Sequence, residues 1–296
     1  MDIKVLQYFL AVAREGSISR AAEQLYMTQP PLSRMLRDLE QELGKKLFIR
    51  GNRNITLTDE GILLRKRAEE MLDLLEKTKA EISSTNNELS GNIYIGGGET
   101  DNMHLIAKSI KKLQEKHPNI QYHFYSGNAN DVMERLDKGL LDFGIIIGTA
   151  HIQKYDYLRL PTTDTWGLLI RKDSPLSELD SIQSENIENL PLLCSRQALE
   201  GNELSGWLGE HAKHQKIVAT YDLIYNAAIM VEEGLGNALC LDKLVTTSPF
   251  STLCFRPLEP RLETPLYIIW KKYQVFSKPA ETFLRELQEQ FLVSPK

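Results

Sequence analysis

The sequence is poor in cysteine and has no long apolar run, and both absences narrow the class of protein. Only three cysteines occur in 296 residues, and their wide spacing supports neither a disulfide framework nor a metal knuckle. No stretch is long and apolar enough to span a membrane, and the first residues lack the pattern of a signal peptide. The sequence therefore predicts a cytoplasmic protein with no membrane partner.

Enzyme motifs are also scarce. The sequence contains neither a P-loop nor a nucleophile elbow. His211 and His214 are three residues apart, but no third ligand or HExxH context accompanies them, so ordinary surface histidines are the better interpretation. Cys194 could be a redox sensor, although no second cysteine follows it closely. We therefore expect no enzyme, no metal and no cofactor.

Acidic residues outnumber basic ones, and this imbalance excludes a protein that is basic over its whole surface. The net charge is −5. Residues 1–61 carry nine basic and eight acidic side chains, a net charge of +1, which leaves −6 for the remainder. Residues 34–53 hold six basic and three acidic residues. Any attraction to nucleic acid must therefore come from a focused patch.

Residues 17–53 predict a winged helix-turn-helix, a fold that places one helix in the DNA major groove. Apolar residues recur at helical spacing in both helices, with Ile18, Ala21, Ala22 and Leu25 in the first and Leu32, Leu36, Leu39 and Leu43 in the second. A turn at 26–28 separates the helices. After Gly44, Leu47 and Ile49 are expected to point to one side and Phe48 to the other, in a two-stranded wing.

The polar residues that this arrangement leaves outside can contact bases and phosphates, because arginine can bond guanine and glutamine can bond adenine. Thr28 is also expected to cap the second helix. The predicted DNA-binding residues are Thr28, Gln29, Pro30, Ser33, Arg34 and Arg37 of the second helix and Arg50 and Arg53 of the wing. An arginine on an arbitrary helix is usually only a solvated charge, but here spacing, turn and polar face agree.

Residues 1–61 resemble the N-terminal domain of the LysR-type transcriptional regulators. The segments that carry the resemblance are LQYFLAVAREGSISRAAEQL, TQPPLSRMLRDLEQELGKKLFIR and LTDEG. The family usually has a small residue at the position of Pro31 and an alanine near Glu60, and neither departure touches the outward polar set. The resemblance implies a homo-oligomeric bacterial regulator that binds double-stranded operator DNA, senses a small-molecule effector of unknown identity and contacts RNA polymerase.

A long helix is predicted from Thr58, with Asp59 and Glu60 at its positive end. It would be roughly 45 Å long and would end in a hinge at Ser83–Asn87. Its apolar residues form a heptad-like seam at Leu64, Ala68, Met71, Leu75, Thr78 and Ile82. We predict that Leu64, Ala68, Met71, Leu75 and Ile82 form a dimer contact, although packing against the chain's own C-terminal domain would also explain them.

From Gly91 the pattern alternates between strands and helices, so the predicted fold is α+β overall. It comprises a winged helix-turn-helix (1–61), a linker and dimerisation helix with its hinge (62–90) and a two-lobe α/β effector domain like periplasmic binding proteins (91–296). Lobe I would take 91–161 and 266–296, and lobe II would take 162–265, with crossings near Pro161–Thr165 and Leu262–Pro265. The expected elements are strands at 92–95, 120–125, 141–147, 166–170, 217–221, 238–241 and 266–270 and helices at 105–117, 131–138, 203–212, 223–233 and from 278.

The glycine-rich loop 96–101 follows the first of these strands and leads into a helix, where backbone N–H groups can bind an anion. A plain structural turn explains this loop equally well. By resemblance, the effector-binding residues are Gly98, Glu99, Thr100, Asn128, Ile147, Ser195 and Arg196. Many relatives have a hydroxyl residue in place of Glu99. This carboxylate disfavours an anionic effector unless Arg196 neutralises it, and it could instead bind an amine or a polyhydroxyl group.

Overall fold

A computed structural model of the chain describes residues 1–50, 55–83, 89–148, 152–200 and 202–292. The chain forms two compact units, Met1–Ser83 and Ser84–Lys296. Within the described ranges no helix has the length and apolar character needed to cross a membrane.

The N-terminal unit is helical apart from one short hairpin. Its elements are α1 (Ile3–Glu15), α2 (Ile18–Gln24), α3 (Gln29–Leu43), β1 (Phe48–Arg50), β2 (Ile55–Leu57) and α4 (Asp59–Ser83). Ser17 caps α2 by accepting a bond from the backbone N–H of Arg20 at 3.4 Å. Gly44 ends α3 in the left-handed conformation that glycine adopts without steric cost. The winged helix-turn-helix prediction is confirmed.

The core of this unit lies between α1, α2 and α3. It is formed by small and branched apolar side chains, with Phe9 and Phe48 in ring contact at 5.2 Å. Two expectations were wrong at its edges. Leu43 is 40% exposed because it is the last residue of α3, and Ile49 is 56% exposed, so Leu47 and Phe48 pack on the core while Ile49 does not. Strand alternation starts only at Phe48 and does not extend to Leu47.

The start of α4 is tied to the segment before the wing. Thr58 Oγ1 accepts a bond from the backbone N–H of Gly61 at 3.0 Å and donates to the carbonyl of Lys46 at 2.7 Å, which confirms it as the cap. A Cβ atom at Gly61 would lie 2.2 Å from the carbonyl oxygen of Leu47, so only glycine fits there. Helix α4 is described over 25 residues, about 38 Å at the usual rise. The predicted hinge lies largely outside the described residues.

The C-terminal unit is built on one continuous sheet. Its elements are β3 (Gly91–Gly97), α5 (Met103–Lys116), β4 (Ile120–Ser126), α6 (Ala129–Asp137), β5 (Phe143–Ile147), β6 (Tyr155–Arg171), β7 (Pro191–Ser195), α7 (Arg196–Glu200), α8 (Asn202–Leu208), β8 (Lys216–Tyr221), α9 (Ile224–Glu232), β9 (Asn237–Leu241), β10 (Leu253–Pro257), β11 (Glu263–Lys271) and α10 (Lys278–Leu292).

Two strands join the halves of this sheet. The strand order is β4-β3-β5-β11-β6-β9-β7-β8, and β10 also pairs with β6. The first part of β6 pairs with β11, and its last part, from Trp166, pairs with β9. We call the β4-β3-β5-β11 half lobe I and the β9-β7-β8 half, with β10, lobe II. At the crossing, Thr163 lies opposite Pro265 and Thr165 lies opposite Glu263.

Each lobe has its own apolar core. In lobe I, Phe143 and Phe283 contact edge to face at 5.4 Å, so α10 closes the core that β3 and β5 begin. In lobe II, Leu168, Leu192 and Leu239 are buried between the sheet and its helices.

Most predicted elements of this unit are confirmed within a few residues, but the structure differs from the prediction at several places. Strands β7 and β10 were not predicted, and β6 runs from Tyr155 to Arg171 although only its last five or so residues were expected. The helix expected at 203–212 divides into α8 and a 3₁₀ segment at Gly209–His214.

Candidate DNA-reading surface and effector cleft

The outward face of α3 is polar, as predicted. Gln29, Pro30, Arg34 and Arg37 are exposed and Ser33 is half-buried, whereas Leu32, Leu36 and Leu39 face the core. Because apolar and polar residues separate at helical spacing, one side of α3 anchors it and the other is free to enter a groove.

Some of the predicted DNA-binding side chains of α3 are hydrogen-bonded within the protein and others are not. Gln29 Oε1 accepts a bond from the Ser19 hydroxyl at 3.1 Å, and Arg37 Nε donates to the carbonyl of Ser33 at 3.4 Å. Arg34 has no hydrogen bond or ion pair to any described residue. Thr28 holds the N-cap position, but its side chain makes no capping bond, so that part of the expectation was wrong.

The wing begins from a buried carboxylate that sequence reasoning missed. Glu40 Oε1 accepts bonds from the backbone N–H groups of Leu47 at 2.9 Å and Phe48 at 3.4 Å, and Glu40 Oε2 meets Lys46 Nζ at 3.1 Å. Burial alone would raise the pKa of Glu40, but these backbone bonds together with Lys46 hold it below its usual value. Glu40 thereby joins α3 to β1.

The two predicted wing arginines are Arg50, in β1, and Arg53. Strands β1 and β2 pair antiparallel, with Arg50 opposite Ile55. Only the backbone of Arg50 is described, and Arg53 lies outside the described residues. Their contact with DNA stays a prediction.

The apolar stripe on α4 is displaced from the predicted seam. Ala68 is fully buried within the chain, and Leu64 is half-buried and packs on the core of the N-terminal unit. The apolar side chains left exposed on this helix are Ile62, Leu63, Met71, Leu74 and Ile82. Met71 and Ile82 belong to the predicted seam, whereas Leu75 of that seam is half-buried. Leu63 and Leu74 were not in the predicted seam, and they place the exposed apolar stripe to one side of it.

A cavity of about 280 Å³ lies between the two lobes. Lobe I lines it with the ends of its strands and the loops that follow them, and lobe II with α7, α9 and the strands beside them. This is the edge of a parallel sheet at which ligands usually bind. The walls combine polar residues with apolar and aromatic ones. The apolar and aromatic side chains are those of Ile147, Trp166, Leu204, Tyr221, Leu241 and Leu244.

Five of the seven predicted effector residues line this cavity. They are Gly98, Glu99, Asn128, Ile147 and Ser195. The other two predicted residues do not line it. Arg196 has an exposed side chain and does not line the cavity, because α7 presents the next two residues, Gln197 and Ala198, to it instead. Thr100 is buried beside the cavity, and its hydroxyl is used within the protein.

Each lobe holds the first turn of a helix in the other. The carboxylate of Glu99 accepts a bond from the backbone N–H of Ile224, the first residue of α9, at 3.0 Å. In the opposite direction, Gln197 Oε1 accepts a bond from the backbone N–H of Ala129, the first residue of α6, at 3.0 Å. The N–H groups of a helix's first turn have no partner within the helix, so they attract anions and other hydrogen-bond acceptors. The two bonds hold the lobes together across the cavity.

A second group of bonds lies at the crossing strands. Asp164 Oδ1 accepts from the Thr100 hydroxyl at 3.0 Å and from Asn102 Nδ2 at 2.6 Å, while Thr100 Oγ1 accepts the backbone N–H of Asn102 at 3.0 Å. Burial raises the pKa of Asp164, although the bonds from Thr100 and Asn102 oppose the shift. Its other oxygen has no partner among the described residues. Thr100 therefore links the loop before α5 to the crossing strand β6.

Cys194, His211 and His214 lie in ordinary structural surroundings. Burial raises the pKa of the Cys194 thiol to about 12, which keeps it protonated and disfavours a redox role. His211 and His214 lie 3.4 and 3.5 Å from the carboxylate of Glu188 on the surface. No group of three metal-ligating side chains could hold an ion in the part of the chain that the structure describes.

A winged helix-turn-helix with a free polar face, joined in sequence to a two-lobe domain around a cavity, defines a DNA-binding regulator with a ligand-binding domain. Comparison with known proteins supports the same class. Residues 3–62 match the family model for bacterial regulatory helix-turn-helix proteins of the lysR family, and residues 86–292 match the LysR substrate binding domain. The chain belongs to the LysR family of DNA-binding transcriptional regulators, which are not enzymes.

Similar proteins cover nearly the whole chain. The uncharacterized HTH-type transcriptional regulator YvbU of Bacillus subtilis is 26% identical over 98% of this chain and 99% of its own. A probable RuBisCO transcriptional regulator of Porphyra purpurea is 26% identical over 97% and 93%. Among solved structures, full-length CbnR complexed with its target DNA aligns with a TM-score of 0.75 at 18% identity, over 98% of this chain and 99% of that one. This last likeness establishes the fold.

Proposed function

We propose that α3 reads operator DNA through its exposed polar face, with Arg34 as the principal base contact. The observation that carries this is that Arg34 is exposed at the first turns of α3 and has no partner among the described residues. An arginine so placed can bond a guanine edge bidentately. Gln29, Ser33 and Arg37 lie on the same face, and Thr28, Pro30, Arg50 and Arg53 complete the proposed contact set.

The proposed assembly is a homo-oligomer, at least a dimer, formed through α4. Leu63, Met71, Leu74 and Ile82 expose apolar surface along one side of this helix. Because contiguous exposed apolar surface is unfavourable in water, a second copy of the helix is its natural cover. Pairing of two chains would place two α3 helices on successive half-sites.

The effector is proposed to bind in the cavity between the lobes, where Glu99, Asn128 and Ser195 offer polar contacts. Functionally we divide the chain into a reading domain (1–61), a linker (62–90) and an effector domain whose lobes are 91–161 with 266–296, and 162–265. We further propose that the protein acts in the cytoplasm and that it contacts RNA polymerase.

Salt-dependent binding to a footprinted genomic site tests the DNA part. The expected result is a protected site whose affinity falls steeply with salt, since each neutralised phosphate releases counterions. Scrambled DNA of the same length is the control. Equal affinity for the footprinted and scrambled sequences would refute operator recognition.

The assembly is tested with Leu74→Glu, which places a charge on the exposed stripe. A charge without a partner is costly to bury, so we expect sedimentation of the full-length protein to show a lower oligomeric state. Leu179→Glu is the matched control, because Leu179 has similar exposure, 37% against 41%, outside α4. If both variants sediment as the wild type does, α4 is not the contact.

A further inference from the structure

The charge of the cavity narrows the chemistry of its ligand. Among the described residues that line it, the only ionisable carboxylates are Glu99 and Asp222, and none is lysine, arginine or histidine. Arg196 is exposed outside the cavity. Lys243, next to the lining residue Leu244, is paired with Asp101 at 3.7 Å. No described cation therefore offsets the two carboxylates within the cavity wall.

One position that would attract an anionic ligand, the first turn of α9, is already filled. The first backbone N–H of α9 is the donor that an incoming carboxylate or phosphate would use, and Glu99 accepts its bond at 3.0 Å. Glu99 comes from the other lobe, 125 residues away in the chain. An anionic ligand would have to replace this carboxylate at the N–H of Ile224, and it would then lie close to the negative charge of Glu99.

The rest of the cavity favours a cation with an apolar body. The aromatic side chains of Trp166 and Tyr221 line it together with aliphatic residues, and aromatic faces attract ammonium groups. The indole N–H of Trp166 is buried with no acceptor among the described residues, so an oxygen on the body of the ligand, apart from its ammonium group, could satisfy it. The volume of about 280 Å³ suits a small molecule.

We propose that Glu99 is the resident anion of the cleft and that the effector is a small amine with an apolar body. Its ammonium group binds beside the Glu99 carboxylate, whose second oxygen is not used by Ile224. This inference rests on the proposed function, because it assumes that the cavity is the effector site.

The test uses three probes of nearly equal shape and different charge, namely 2-phenylethylamine, 2-phenylethanol and phenylacetate. Calorimetry and thermal shift on the full-length protein should show that the amine binds and stabilises it, and that phenylacetate binds at least about tenfold more weakly, because like charges in one cavity repel. Equal binding of the amine and phenylacetate overturns the proposal, and so does failure of the amine to bind at millimolar concentration.

Two substitutions assign the effect to Glu99. In Glu99→Gln the amide oxygen can still accept the Ile224 bond, so affinity for the amine should fall by about tenfold while affinity for 2-phenylethanol stays the same. In Glu99→Ala the α9 terminus is vacated, and phenylacetate should gain affinity. An unchanged amine-to-phenylacetate ratio in both variants overturns the proposal.

Glu178→Ala is the matched control, because Glu178 is exposed and does not line the cavity. The affinities of Glu178→Ala for the three probes should equal those of the wild type. If this variant also lost its preference for the amine, the effect could not be assigned to Glu99. Operator binding by the wild type is measured separately. Its absence would refute the proposed function, whereas intact operator binding with the wrong probe preference would refute only the ligand class.

Discussion

The outer face of α3 and the cavity between the lobes are opposite in charge and in construction. The α3 face exposes Arg34 and Arg37 from a single helix. The cavity encloses Glu99, with Asp222 also in its lining, from segments more than a hundred residues apart. One surface attracts a polyanion and the other repels anions.

This difference teaches how the two binding functions are kept apart. Because the cavity is negative, DNA phosphates and free anions do not compete for it. Because the core that holds α3 is formed by residues of the N-terminal unit, up to Leu64, we expect its geometry not to depend on the state of the cavity. Changes in one region should therefore leave the intrinsic binding of the other measurable, and four predictions test that separation.

The largest effect is expected from Gly61→Ala. Its Cβ would lie 2.2 Å from the Leu47 carbonyl oxygen, so α4 or the wing must move, which we expect to cost about 3 kcal/mol. Operator affinity should collapse. All three tryptophans, Trp166, Trp207 and Trp270, belong to the C-terminal unit, so the unfolding followed by tryptophan fluorescence should not change.

Gly206→Ala is the control for that experiment. No atom lies within 4 Å of a Cβ at Gly206, so this variant should bind operator normally. If Gly61→Ala shifts the tryptophan transition as much as it weakens operator binding, the two regions are not separable.

Arg34→Ala should weaken operator binding by about 1–3 kcal/mol and relax sequence preference at one base position, since a base contact is lost. Binding of 2-phenylethylamine should be unchanged. The measurement is a competition assay over operators that differ at single positions. Arg285→Ala, an exposed arginine on α10, is the control. Equal loss on every sequence would assign Arg34 to phosphate instead.

Thr100→Val sharpens the distinction between the cavity and the crossing strands. Removing the hydroxyl deprives Asp164 and the Asn102 N–H of a partner, so the C-terminal unit should lose about 1–2 kcal/mol of stability in denaturant unfolding followed by tryptophan fluorescence. Probe affinity should change little, because Thr100 does not line the cavity. Thr282→Val, which loses only a bond to the carbonyl of Lys278 in α10, should have a smaller effect. Abolished probe binding with normal stability would return Thr100 to the ligand site.

The smallest effects concern two buried carboxylates with opposite pKa shifts. Glu40 has a lowered pKa, so its contribution to stability is present above its ordinary value of 4.5 and is lost as pH falls through the lowered value. Asp164 has a raised pKa, so stability is highest below its ordinary value of 3.8 and falls as pH rises through the raised value.

Glu40→Gln and Asp164→Asn should remove these two slopes separately. Unfolding is followed from about pH 3 to about pH 7, by circular dichroism for the whole chain and by tryptophan fluorescence for the C-terminal unit. The free energy of unfolding of wild type minus that of Glu40→Gln should increase as pH rises. The same difference for Asp164→Asn should decrease as pH rises. Slopes of the same sign would contradict the assigned shifts.

The reading domain was largely predictable because its helices follow simple periodicity within about sixty residues. Leu43 and Ile49 were misjudged because periodicity does not say where an element stops facing the core. Glu40 was missed because a buried carboxylate on an apolar face looks like a surface residue until the backbone N–H groups of Leu47 and Phe48 are placed against it.

The cleft was predictable only in outline. The family resemblance indicated Glu99, Asn128 and Ser195, but which residue of α7 faces inward depends on the rotation of one short helix, so the resemblance indicated Arg196 where the structure has Gln197. The bonds from Glu99 to α9 and from Gln197 to α6 join residues 125 and 68 positions apart. No local pattern encodes such partners.

The place of β11 in the sheet has a consequence for biosynthesis. This strand lies between β5 and β6 in lobe I, and α10 adds Phe283 and Leu287 to the same core. Both elements leave the ribosome after all of lobe II. While they are missing, β5 and β6 have an unpaired edge and an open core, which are features that favour aggregation and chaperone binding. The core of lobe I, and with it the complete cleft, can therefore form only when translation of β11 and α10 is finished.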